Sequence, residues 1–312
     1  MTRVAVIDCG TNSIRLLIAD VAGRDGELVD VDRRTEIVRL GEGVDRTGRL
    51  RPDALARTIA MARSYGELII AAGADRIRFV ATSATRDATN RAAFAAGVVA
   101  AVGVQPEVIS GSEEAALSFL GASASLRTAS GSAGDLEPPY LVVDIGGGST
   151  EFVLGSDAAE AAISVDIGCV RLTERHLLSD PPTVTQVAAA RADIGRTLDE
   201  VAGAISVDST RTLVGLAGSV TTVAALALGL PRYDSTRIHH ARIPAAEVHD
   251  VAARLLEMTR AERAVLGPMH PGRVDVIGAG ALILSETVTR VGVAEVIVSE
   301  HDILDGIARS LA

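Results

Sequence analysis

The sequence predicts an α/β protein made of two similar halves, on three observations. An aliphatic strand, Asp-x-Gly-x-x-Ser and a second apolar strand occur twice. The first copy is Val4-Ala5-Val6-Ile7-Asp8-Cys9-Gly10-Thr11-Asn12-Ser13, then Ile14-Arg15-Leu16-Leu17-Ile18; the second is Leu141-Val142-Val143-Asp144-Ile145-Gly146-Gly147-Gly148-Ser149-Thr150, then Glu151-Phe152-Val153-Leu154. Strands alternate with helical patterns along the chain. The length, 312 residues, corresponds to about two domains at roughly 150 residues each, and a hydrophobic content of 48% supplies their cores.

The elements follow in order. Pro52 suits a helix N-terminus, and Leu55, Ile59, Ala62, Gly66 and Ile69 then recur at helical spacing. Ile77 to Thr82 reads as a buried strand, Asn90 to Val102 as a helix and Pro106 to Ile109 as a strand; a further helix starts at Ser110. Gly121 to Pro139, rich in Ala, Ser and Gly and closed by two prolines, is the expected domain boundary. Val184 to Ile205 reads as a helix. The uncharged stretch Thr212 to Pro231 is long enough to span a bilayer, but Gly215, Gly218, Ser219, Thr221 and Thr222 make it a strand, a glycine turn and a buried helix. Val276 to Ala281 predicts another strand-to-helix glycine turn, Val293 to Ser299 a last strand and Asp302 to Leu311 a terminal helix.

Composition excludes several function classes. There is no Lys, so a Walker-A loop, a kinase lysine, a Schiff-base aldolase and a pyridoxal enzyme are ruled out. Phosphate would have to be held by backbone N–H groups, Arg, hydroxyls and a metal ion. A net charge of −10 argues against non-specific nucleic-acid or anionic-membrane binding. Cys9 and Cys169 have neither disulfide-framework nor zinc-ligand spacing, and a cytoplasmic location is expected. Asp8 inside the first apolar run spoils a signal-peptide reading. Aromatic residues are 2% with no Trp, so the cores must be aliphatic.

The two Asp-x-Gly turns are the first candidates for chemistry. Successive N–H groups in a Gly- and Ser-rich turn cradle an anion, and a strand-end Asp can hold a water-coordinated Mg2+. Either copy alone also fits an ordinary turn; two matched copies would form opposing jaws on one phosphate. Gly218 and Ser219 open a helix whose N-terminus suits an anion, although Ser219 also fits a simple cap. Ser110-x-x-Glu113 is a capping-box pattern, which leaves Glu114 for positioning a water. Arg86 follows a buried strand, and Arg15 and Arg171 lie near the glycine turns; without Lys these are the candidate phosphate-charge partners, although each alone also fits an ordinary surface Arg. The six histidines make no convincing metal site: His239 and His240, being adjacent, would point apart on a strand and read instead as a loop edge, and His270 reads as a turn residue.

Taken in order, these segments resemble the exopolyphosphatase and guanosine pentaphosphate phosphohydrolase (Ppx/GppA) family. The carriers are Asp8-Cys9-Gly10-Thr11-Asn12-Ser13-Ile14-Arg15-Leu16, Arg39-Leu40-Gly41-Glu42-Gly43-Val44, Ala81-Thr82-Ser83-Ala84-Thr85-Arg86 and Ile109-Ser110-Gly111-Ser112-Glu113-Glu114-Ala115. Val143-Asp144-Ile145-Gly146-Gly147-Gly148-Ser149-Thr150-Glu151, Gly168-Cys169-Val170-Arg171-Leu172 and Gly215-Leu216-Ala217-Gly218-Ser219-Val220-Thr221-Thr222 complete the set. The resemblance implies two ribonuclease-H-like domains of the actin, sugar-kinase and Hsp70 type around a cleft. Domain I would be residues 1–125 with the C-terminal helix 300–312 packed back on it, and domain II residues 136–299. It implies removal of a terminal phosphate with Mg2+, with K+ as a further candidate cation, and a homodimer. The catalytic glutamate would be Glu114, with Glu113 as its neighbour in the pair. Lacking the added C-terminal domains of longer relatives, the chain is expected to act on short polyphosphate.

The expected reaction is in-line attack of water on a terminal phosphoanhydride. Glu114 deprotonates the water. Gly10, Thr11, Asn12, Ser13, Arg15, Arg86, Gly146, Gly147, Gly148, Ser149, Thr150, Gly218 and Ser219 hold phosphate, and Asp8, Asp144 and Glu151 support the metal. Alternatives are the same chemistry on guanosine pentaphosphate, tying the protein to the stringent response, a sugar or acetate kinase of the same fold, and a non-catalytic binder of the alarmone or of polyphosphate.

Overall fold

The structure is a computed structural model that describes residues 1–23, 26–128 and 136–312; within the expected boundary segment, 129–135 lie outside the described residues. The chain runs β1 (Thr2–Cys9), β2 (Ser13–Val21), β3 (Leu28–Ile37), α1 (Val44–Thr47), α2 (Pro52–Ala72), β4 (Arg76–Ala81), α3 (Ser83–Asp87), α4 (Arg91–Val102), β5 (Glu107–Val108) and α5 (Gly111–Thr128). It continues through β6 (Tyr140–Ile145), β7 (Thr150–Gly155), β8 (Ala159–Val165), α6 (Cys169–His176), α7 (Val184–Ala204), β9 (Thr212–Leu216), α8 (Ala217–Ala227) and α9 (Ser235–Ile238). Then come β10 (Arg242–Pro244), α10 (Ala245–Glu257), α11 (Arg260–Ala264), α12 (Ile277–Val291), β11 (Glu295–Val298) and α13 (Ile303–Ser310). Two compact units result: residues 1–124 with 302–312, and residues 125–301.

Among the described residues, each unit has one sheet, and the two share a plan. The first has order β3-β2-β1-β4-β5, and the second β8-β7-β6-β9-β11 with β10 added at its edge. In both, the first three strands are antiparallel and the next strand pairs parallel with the first. This is the ribonuclease-H-like layout, duplicated as in the actin, sugar-kinase and Hsp70 type. β1 and β6 read as continuous apolar runs because both of their faces are covered. In β1, Ala5 and Ile7 share a core with Phe79 of β4, Tyr65 of α2 and Phe94 of α4, whereas Val4 and Val6 face Ile303, Leu304 and Ile307 of α13. The strand's period of two sends alternate residues to opposite cores.

Local signals act where the sequence places them. Pro52 occupies the first turn of α2, which ends at Gly73 in the left-handed region at φ 65°. A capping box of Thr183 and Gln186 starts α7. Thr212 to Pro231 folds as strand β9 and helix α8, and no helix among the described residues is long and apolar enough to cross a membrane. The segment Val276 to Ala281 is a correction: it has no strand, and α12 begins at Ile277 after a single 3-10 turn at Pro271–Arg273. Ile277 to Ser285 are all buried, so the helix carries no polar stripe to reveal its period.

Candidate active site

The β1–β2 turn of the first unit is closed by a hydrogen bond from Gly10 N–H to Ser13 O at 2.9 Å. It is braced from the 38–41 segment: Val38 and Arg39 donate to Asn12 O, and Gly41 donates to Thr11 O. These bonds use carbonyl oxygens, so the N–H face of the turn is left out of the bracing. Asp8 ends β1 directly opposite Arg15 in the ladder. Arg15 donates from Nε and Nη2 to Asp8 Oδ2 at 2.9 and 2.6 Å, and from Nη1 to Asp302. Arg15, expected among the phosphate ligands, is thus engaged by two carboxylates. Asp8 is 3% exposed, and its Oδ1 has no hydrogen-bond partner; Thr11 Oγ1 is likewise buried and unpartnered. Burial pushes the Asp8 carboxyl above its ordinary range, against the opposing pull of Arg15.

Helix geometry separates the two glutamates at the start of α5, because consecutive residues differ by about 100° around the axis. Ser110 Oγ accepts from Glu113 N–H at 3.2 Å, as a cap should. The Glu113 carboxylate accepts from Arg78 at 2.7 Å, and Arg78 also holds Glu107; nearly half of the Glu113 side chain is exposed. Glu114 is buried and accepts from Arg86 Nη1 at 3.1 Å. Arg86 is steadied by a second bond to Ile109 O at 3.0 Å. The short helix α3, directly after β4, puts Arg86 there.

The second unit repeats the turn. Gly146 N–H donates to Ser149 O at 3.0 Å, the counterpart of the Gly10–Ser13 bond. Its bracing also runs through carbonyls: Cys169 donates to Gly146 O, Val170 and Arg171 donate to Gly147 O, and Arg171 Nε donates to Gly148 O at 2.7 Å. Arg171 is therefore a brace of the turn. The approach requires Gly168, since a Cβ there would lie 2.5 Å from the Gly147 backbone. Thr150 is a correction to the expected phosphate set: it is fully buried and its hydroxyl donates to Ile167 O at 2.7 Å. Asp144 faces Glu151 across the β6–β7 ladder, both are buried, and Glu151 accepts from Ser164 at 2.7 Å.

At the β9–α8 junction the N-terminus of α8 has no side-chain cap; Ala217 and Gly218 are half-buried and Ser219 is buried. Ala217 takes φ 67°, a left-handed conformation costing roughly 1–2 kcal/mol for a residue with a Cβ. Gly218 lets the Arg273 guanidinium lie against the turn, where a Cβ would be 2.1 Å from Nη2; Arg273 Nη1 also donates to Thr222 at 3.4 Å. Ser219 lies against Gly280 and Cys169 rather than capping the helix. Arg273 escaped the sequence reading. Its one signal was a basic residue just ahead of Asp275 and the apolar segment that becomes α12. Cys9 and Cys169 are buried and free, and burial raises both thiols.

The histidine pair lies in the turn between α9 and β10, the loop edge that the sequence predicts. His239 and His240 stack at a centroid distance of 3.7 Å, and His301 lies 4.6 Å from His239. His240 has φ 61°, which breaks the alternation an extended pair would show. His270 behaves as a turn residue, its Nδ1 accepting from Gly272 N–H at 3.0 Å.

No group of three or more His, Cys, Asp or Glu among the described residues converges as a metal site. Mg2+ does not need one: it commonly takes one or two carboxylates and completes its shell with water and substrate phosphate. The Asp144–Glu151 pair and the unpartnered Oδ1 of Asp8 are hard oxygen donors that fit such an ion.

The model of the Ppx/GppA phosphatase family matches residues 17–312. Exopolyphosphatase 2 of Mycobacterium tuberculosis is 53% identical over 323 residues, covering 100% of this chain and 99% of that protein. The solved structure of an exopolyphosphatase-like protein is 44% identical with a TM-score of 0.93, covering 100% of both chains. The Aquifex aeolicus Ppx/GppA enzyme is 33% identical with a TM-score of 0.80, covering 99% of each. The motifs, the duplicated sheet plan and these similarities agree, and the chain belongs to the Ppx/GppA phosphatase family.

Proposed function

We propose that this chain is an exopolyphosphatase that hydrolyses the terminal phosphoanhydride of short inorganic polyphosphate and releases orthophosphate. The observation that carries the reading is the doubled turn: in each unit a Gly-to-Ser turn follows a strand-end aspartate and is braced through its carbonyls. The Gly10 and Gly146 N–H groups close the turns, and the turns' other N–H groups with the Ser13 and Ser149 side chains are suited to phosphate oxygens. The full-length similarity to an exopolyphosphatase supports the substrate. A cytoplasmic homodimer is part of the same reading.

Glu114 takes a proton from the attacking water, and Arg86 restrains that carboxylate and offsets charge on the polyphosphate. Asp8 and, separately, Asp144 with Glu151 would support Mg2+, which would supply charge neutralisation at phosphate oxygens. Water adds to the terminal phosphorus in line, the bridging P–O bond breaks, and the shortened chain leaves. Such catalysis is mainly positioning and electrostatics.

The test is a side-by-side measurement of phosphate release from short polyphosphate, long polyphosphate and guanosine pentaphosphate. The fastest kcat/KM is expected on short polyphosphate. A preference for guanosine pentaphosphate would replace the substrate assignment while keeping the chemistry. Binding without phosphate release from any of the three would overturn the enzyme reading.

A further inference from the structure

The charge network behind the first turn does not end at Asp8. Nε and Nη2 are the two arms with which a guanidinium ordinarily takes one carboxylate oxygen each. In Arg15 both arms fall on the same oxygen, Asp8 Oδ2, while Nη1 is held by Oδ2 of Asp302. Asp302 is fixed from its own side. Its Oδ1 accepts from Leu304 N–H at 3.0 Å, capping α13, and its N–H donates to Asp305 Oδ2 at 2.9 Å. Asp305 in turn pairs with Arg33 at 2.7 Å. α13 is seated on β1 and β2 through Ile303, Leu304 and Ile307. Asp302 therefore cannot follow Arg15 if the guanidinium rotates, and the anchored Nη1 sets where the other two arms point.

We propose that Asp302 is a positioning residue for Asp8: by holding Nη1 of Arg15, it confines Arg15 to one oxygen of Asp8 and keeps the other, Oδ1, open to a divalent cation. Oδ1 is buried and without a hydrogen-bond partner, the state this arrangement preserves. Without the Asp302 anion, Arg15 is free to settle into the two-oxygen fork on Asp8 and occupy Oδ1. The inference rests on the reading of Asp8 as a cation-supporting carboxylate.

The experiment measures Mn2+ binding to the full chain by electron paramagnetic resonance, in the presence of inorganic phosphate, together with the Mg2+ dependence of phosphate release. Asp302→Asn retains size and cap but removes the anion; Asp302→Ser retains a cap in a second form should the first variant not fold. Partners behind a metal ligand are typically worth about 10–100-fold in metal affinity. Asp302→Asn is expected to weaken Mn2+ binding at least tenfold and to raise the Mg2+ concentration for half-maximal rate in parallel, with kcat at saturating Mg2+ within about twofold. Asp305→Asn is the control, since it disturbs the start of α13 without touching Arg15. Unchanged Mn2+ affinity in folded Asp302 variants overturns the proposal, as does an equal loss in Asp305→Asn. Asp8→Asn separates the two readings. Loss of Mn2+ binding there with none in Asp302→Asn defeats only the positioning role. Binding in Asp8→Asn with the affinity and stoichiometry of the unaltered chain, or no binding by the unaltered chain, defeats the cation role of Asp8 and the positioning role with it.

Discussion

Arg15 and Glu151 hold the same place in two different hairpins: Arg15 lies opposite Asp8 in the β1–β2 ladder, and Glu151 lies opposite Asp144 in the β6–β7 ladder. The duplicated backbone thus carries opposite charges at one register position. In the first unit the strand-end aspartate has a cation across from it. In the second it has another buried carboxylate, an arrangement that like-charge repulsion disfavours and a divalent cation relieves.

That pairing predicts how Mg2+ acts on stability. At about 100 times its dissociation constant, a ligand specific to the folded state contributes about 2.7 kcal/mol, a rise in Tm on the order of 5 °C for a protein of this size. Glu151→Gln is expected to abolish most of that rise and to leave the metal-free Tm unchanged or higher. Calorimetry with and without Mg2+ checks it. An undiminished Mg2+ effect in the variant would remove Glu151 from the metal site.

The two neighbouring glutamates should behave oppositely. Glu114→Gln is expected to lower kcat by roughly 10²–10⁴-fold with the fold intact, because it removes the proposed base. Glu113→Gln disturbs a half-exposed ion pair with Arg78 and should change kcat less than about threefold and stability by under about 1 kcal/mol. Steady-state rates and Tm of both variants decide. Near-normal turnover in Glu114→Gln would refute its role.

Gly168→Ala places a methyl group 2.5 Å from the backbone of Gly147. Backbone on both sides cannot yield cheaply, so a loss of about 1–3 kcal/mol is expected, with kcat/KM falling as the Gly146–Ser149 turn shifts. Denaturant unfolding and kinetics would show both. A variant with unaltered stability and activity would contradict the close approach.

His240 titrates below the ordinary histidine range because burial and the neighbouring His301 disfavour its cation. Around it lie His239, His301 and Ser125, the last 3.2 Å from Nε2. A depressed histidine contributes stability that is full above the unfolded value, about 6.5, and is lost as pH falls through the lower folded value. Stability should therefore decline from pH 7 to pH 5. His240→Asn, which tolerates the positive φ, should flatten that decline. Urea midpoints across this range provide the measurement, and equal slopes for both proteins would defeat the assignment.

The elements that declared themselves in the sequence are those with local causes. The two hairpins rest on a ten-residue pattern, α2 on Pro52 and a helical period, and the β9–α8 turn on Gly215 and Gly218 within an apolar stretch. β3 went unread because it is a mostly exposed edge strand carrying Asp30, Asp32, Arg33, Arg34 and Glu36, with little apolar alternation to detect. α12 was misread for the opposite reason, its first nine residues, Ile277 to Ser285, being buried all round.

By itself the sequence determined the duplicated α/β plan, both Gly-to-Ser turns and the Glu113–Glu114 pair, because each depends on residues within a few positions of one another. Only the tertiary structure decided which acid is buried beside Arg86, that Thr150 and Arg171 are structural, and that Arg273 lies over Gly218. Arg15 shows why: one of its partners, Asp302, is 287 positions away. Backbone conformation is set largely by near neighbours, whereas the partner of a charged side chain is whatever the folded chain brings within 3 Å of it.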